Sequence, residues 1–93
     1  MIAKIRMTKV TAVIPDGSPM GNRARFDEKT YMVYGNVLEL QTAAEKVSIS
    51  YASAVDVKRA LLSPFLKKHV SFRAEQPNLI LHGVLEEVEF PDG

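Results

Sequence analysis

The sequence predicts a mainly β domain with a single helix, its elements in the order β-β-β-α-β-β. Three observations predict it. Apolar and polar residues alternate with period two over most of the chain, as on half-buried strands. That period gives way to a helical one once, near residues 53–66. Glycine, proline and asparagine sit at the boundaries between the periodic stretches. A length of 93 residues fits one domain spanning 1–93. The balance of 46% hydrophobic and 25% charged residues is that of an ordinary globular chain.

The first strand is "IAKIRMTKVTAVI", Ile2 to Ile14. Ala3, Ile5 and Met7 share one face against Lys4, Arg6 and Thr8, and beyond Lys9 the apolar set becomes Val10, Ala12 and Ile14. A change of phase inside one strand predicts a bulge near Thr8 and Lys9. Pro15 to Thr30 then shows no usable periodicity and predicts a long loop. "TYMVYGNVLELQ", Thr30 to Gln41, is rich in β-formers and interrupted by Gly35-Asn36. The pair marks either a two-residue hairpin turn or a bulge within one strand, and a single strand is the preferred reading. "TAAE" is short enough to connect it as a hairpin to "KVSISYA", in which Val47, Ile49 and Tyr51 share a face.

Ser53 followed by Asp56 resembles a capping box, so "AVDVKRALL" is expected to wind as a helix with Val57, Leu61 and Ala60 inward. Ser63-Pro64 ends that helix or begins a second turn. "HVSFRA" alternates again with Val70, Phe72 and Ala74 inward, and "EQPN" turns the chain into "LILHGVLEEVEF". In this last strand Val88 and Phe90 are expected inside and Glu87 and Glu89 outside. The adjacent Glu86 and Glu87 should point to opposite faces, and His82 is expected to be a partly buried, hydrogen-bonded residue.

Three strands, a helix and two strands is similar to the order of the five-stranded OB-like barrel, where a helix bridges the third and fourth strands. A long, bent first strand suits that barrel because it serves both halves of the sheet. The similarity rests on element order and on no sequence motif. An SH3-like or other small α+β barrel is the alternative, favoured if Gly35-Asn36 splits its segment and adds a strand.

Several functional classes are excluded or disfavoured. The chain has no cysteine, hence no disulfide, thiolate metal site or Cys nucleophile. His69 and His82 lack metal-ligand spacing, so no metal and no cofactor is expected. Phosphate-loop, nucleophile-elbow and zinc-protease motifs are missing, and no enzyme activity is expected. No apolar run is long enough for a membrane span or a secretory leader, which makes a soluble, cytoplasmic protein the expectation.

The net charge of +1 conceals a polarised chain. Residues 54–74 carry five basic residues against Asp56, whereas residues 75–93 carry five acids and no base. Lys4, Arg6, Arg23, Arg25, Lys29, Lys67, Lys68 and Arg73 are therefore candidates for one basic face, interleaved with Phe26, Tyr31, Tyr34 and Tyr51. Cations neutralise phosphates and aromatic rings stack bases, so the expected partner is single-stranded DNA or RNA, with the Pro15–Thr30 segment at the groove. The alternative is a protein-interaction module, either a homodimer or an accessory or inhibitory subunit of a larger complex, cellular or viral, using strand edges.

Overall fold

A computed structural model describes residues 2–14, 22–50, 52–76 and 78–91 of the chain. The elements are β1 (Ile2–Ile14), β2 (Asn22–Tyr34), β3 (Val37–Gln41), β4 (Lys46–Ser50), α1 (Val55–Leu62), β5 (His69–Ala74) and β6 (Leu79–Glu89). A single turn of 3₁₀ helix, Ser63–Phe65, follows α1 with Pro64 in its first turn. All six strands form one antiparallel sheet in the order β2-β1-β6-β5-β3-β4.

The mainly β class with one short helix is as the sequence predicts, but the five-stranded barrel is not. Among the described residues there are six strands, the last of them lies in the middle of the sheet, and the sheet is open, with β2 and β4 as its edges. The added strand arises at Gly35, whose φ of 153° is a conformation L side chains rarely adopt. Gly35-Asn36 is nevertheless no hairpin turn, because β2 and β3 pair with different neighbours: β2 with β1, and β3 with β4 and β5. The Glu75 carboxylate accepts from the Asn36 N–H at 3.3 Å and steadies the kink.

That kink fixes the curvature of the sheet. Four inter-strand steps separate β2 from β3, about 19 Å across a flat sheet, while the chain from Tyr34 to Val37 reaches at most about 11 Å. The sheet must therefore curl until its first and fifth positions approach. Tyr34 and Gln76 hold the approach with a reciprocal pair of backbone hydrogen bonds, 2.7 and 3.2 Å long. Inside the curl lie Ile5, Met7, Val10, Val33, Leu38, Leu40, Ile49, Val70, Phe72, Leu81 and Leu85, closed at one end by Leu62, Phe65 and Phe90.

The expected bulge is present. Register between β1 and β6 shifts across Thr8–Thr11, and Lys9 takes a positive φ of 50°. Thr8 consequently faces out while Val10 and Ala12 turn inward. Gly83 lies against this bulge: a Cβ there would stand 2.8 Å from the Thr8 carbonyl oxygen and 2.9 Å from the Val10 Cα. A second slip, at Glu86, returns β6 to phase, so Leu85 and Phe90 are both buried.

The expected long loop is shorter than its sequence suggests. Asn22 to Lys29 belong to β2 and pair with residues Met7 to Ile14 of β1. Pro15 to Gly21, the rest of that segment, and Tyr51 lie outside the described residues. The helix also departs from expectation. Its N-cap is Ala54, with no side-chain cap bond, and its buried residues are Lys58 and Leu62. Val57 and Leu61 are 50% and 41% exposed and Ala60 is exposed, so the inward face is one position out of phase with the apolar pattern. Lys58 fills the inward place with its ammonium 4.5 Å from the centre of the Phe90 ring.

Candidate nucleic-acid interface

Of the twelve basic and aromatic residues singled out from the sequence, the eleven that are described do not form one face. Lys4, Arg6 and Lys67 are drawn into ion pairs at the end of the sheet where β6 carries its acids. Lys4 lies 3.9 Å from Glu89, Arg6 bonds Glu28 at 3.0 Å and Glu87 at 3.4 Å, and Lys67 bonds Glu86. Both carboxylates of the Glu86-Glu87 pair therefore serve outward-facing residues, with Thr8 donating to Glu86 at 3.1 Å. The slip at Glu86 breaks the alternation that would have sent them to opposite faces. The Lys67 bond holds the Glu86 carboxyl below its ordinary range, and the Glu28 bond holds the Arg6 guanidinium above its own.

Tyr34 also stands apart. It pairs with Ile2, whereas Arg23 and Arg25 pair with Val13 and Thr11 towards the other end of β1. Tyr31 is half-buried, its hydroxyl enclosed without a hydrogen-bond partner among the described residues, and burial raises its pKa. Lys29 stands 5.0 Å above the Phe26 ring on β2. Lys68 is exposed at the entry to β5. Aromatic stacking and basic charge are thus largely separated.

A different surface emerges from the register. Directly opposed residues on neighbouring antiparallel strands share a face of the sheet, and two rows of them cross all six strands. One row runs Arg25, Thr11, His82, Ser71, Gln41, Lys46; its neighbour runs Arg23, Val13, Ile80, Arg73, Glu39, Ser48. None of these residues is buried, so both rows lie on the outside of the curl. Glu39 is the one acid in them, set against Arg23, Arg25, Arg73 and Lys46, and among the described residues none of these four cations makes an ion pair within 4 Å.

Shallow depressions run along the rows, one lined by Glu39, Gln41, Lys46, Ser71, Arg73 and Ile80, the next by Gln41, Thr42, His69, Ser71 and His82. Thr11, Gln41, Lys46, Ser71 and His82 were not foreseen as site residues, and His82 is exposed rather than partly buried. Outward alternation on each strand marks them individually. Only the pairing order brings them together. Among the described residues no cluster of metal-ligating side chains occurs, and no helix is long and apolar enough to cross a membrane.

The fold and this surface define a small, curled, antiparallel β domain with two mainly cationic rows on its outer face. Comparison with protein-family models, curated proteins and solved structures finds no match.

Proposed function

We propose that the domain is a non-catalytic binding module that takes the phosphate backbone of single-stranded nucleic acid across the outer face of its sheet. The observation that supports this reading is the pair of registered rows in which Arg23, Arg25, Arg73 and Lys46 face solvent with Glu39 as the one opposing charge. Hydroxyl and amide groups of Thr11, Ser71 and Gln41 lie between Arg25 and Lys46 in their row and suit phosphate and sugar oxygens. Val13 and Ile80, half-exposed at the centre of one row, offer an apolar floor for bases. The rows carry no Phe, Tyr or Trp, so the affinity is electrostatic first and weakly sequence-selective.

The test is fluorescence anisotropy of labelled mixed-sequence DNA and RNA single strands at low and near-physiological salt. Binding should weaken steeply with salt, and Arg73→Ala and Lys46→Ala should each lower the slope of log K against log salt by about 0.7. Undetectable binding at low salt, or binding insensitive to salt, would remove the reading.

A further inference from the structure

The first half of β2 is built unlike any other strand of the sheet. A strand with one face on a core alternates between buried and exposed residues, as β1 and β5 do. Arg23 to Thr30 are instead exposed without interruption, Phe26 among them at 36%. The other long edge of this segment is unpaired among the described residues, since β2 is the end strand and its bridge to Gln76 falls at Tyr34. A strand open on both faces and one edge is a template for another strand; proline is absent from it, and its pairing with β1 keeps one register on both sides of Asp27, while its five charges guard the edge against any partner but one of complementary charge.

The sequence of this segment says what fits there. In "RARFDEK" the charge reverses about Phe26, with Arg23 and Arg25 before it and Asp27 and Glu28 after it. We propose that two copies of the chain join edge to edge along β2, antiparallel, about a two-fold axis passing between their Phe26 residues. In this register Phe26 opposes its own copy, Arg25 of each chain opposes Asp27 of the other, and Ala24 opposes Glu28. Like charges meet only in the symmetric pair of Arg23–Lys29 positions, one at each outer end, and there the Lys29 ammonium is drawn back over the Phe26 ring of its own strand.

Neighbouring two-fold registers are worse. Centring on Arg25 sets Arg25 against itself, centring on Asp27 sets Asp27 against itself and Arg25 against Lys29, and centring on Glu28 opposes the two Glu28 carboxylates. Direct like-charge pairs destabilise antiparallel sheets while opposite pairs and aromatic pairs stabilise them, so the Phe26 register is selected by charge and by the ring together. The join extends the sheet from six strands to twelve and covers the β2 edge of both chains, leaving β4 at the outer edges. It goes beyond the nucleic-acid reading and does not depend on it, because Arg73 and Lys46 lie on strands away from β2.

Sedimentation velocity of the intact chain from about 1 to about 200 µM tests the proposal. The wild type should show a concentration-dependent dimer. Arg25→Asp or Asp27→Arg should each weaken it about tenfold or more, by turning two attractive cross-strand pairs into two repulsive ones. The double variant Arg25→Asp/Asp27→Arg, which exchanges the charges, should recover the wild-type association. A monomer at every concentration, a dimer indifferent to the single reversals, or a double variant as weak as the singles would each overturn it. Nucleic-acid binding is read separately with the Arg73 and Lys46 variants, so either conclusion can fail without the other.

Discussion

Gly83 shows how much one missing methyl group decides. Its Cα faces the backbone of the β1 bulge, and a Cβ there would meet the Thr8 oxygen, the Val10 Cα and the Lys9 oxygen at 2.8, 2.9 and 3.1 Å. Those neighbours are main chain and cannot step aside as a flexible side chain would. Gly83→Ala should therefore destabilise the fold by about 2–3 kcal/mol in urea titration; an unchanged midpoint would mean that the bulge does not pack on β6. Glu86 gives a second residue-level prediction. Its carboxyl is held below the ordinary range by the Lys67 bond first, with Thr8 assisting against desolvation. A lowered folded pKa means that the ionised form supports the fold above the ordinary carboxylate range, and that the support disappears as pH falls through the lowered value. Melting temperatures of the wild type and Glu86→Gln should differ at about pH 7 and converge at about pH 2.5. The sequence marks Gly83 as a break in an apolar run and Glu86 as one of two adjacent acids. Neither the bulge nor the Lys67 partner is legible there, since both depend on contacts between distant segments.

Strands were more legible than the helix, for a reason visible in the burial pattern. β1, β3, β5 and β6 each lay one face on the core, so period two is imprinted on their sequences, and even the phase change at Lys9 can be read. The first half of β2 covers no core, carries charges on both faces, and therefore looks like a loop. In α1 the apolar positions Val57, Ala60 and Leu61 define a face that the fold leaves in solvent, while Lys58 and Leu62 turn inward. Eight residues give the stripe little weight against the demands of the chain on either side. Leu62→Ala should cost about 2–4 kcal/mol as a buried truncation, and Leu61→Ser should stay within about 0.5 kcal/mol as a surface change. Equal costs would restore the face that the apolar pattern suggests.

At the scale of the whole molecule the charge is sorted more finely than its net value of +1 implies. Acids on the last part of β6 meet Lys4, Arg6 and Lys67 at one end, which leaves Arg23, Arg25, Lys46 and Arg73 to dominate two rows of the outer face. Segment charges read from the sequence show that basic and acidic stretches are separated along the chain, but not which cations the acids neutralise. That selection is made by strand order, and strand order depends on β6 inserting between β1 and β5. The same insertion has a kinetic meaning. β1 and β6 are the first and last strands in the sequence yet pair along much of their length, so the loop that must close before the core can form is nearly the whole chain. Folding should be governed by this one long-range event, in the slow range of milliseconds to seconds typical of non-local β topologies. Until it occurs, β1 and β5 both present open edges, and a nascent chain on the ribosome carries its sticky strands exposed until the final segment has emerged.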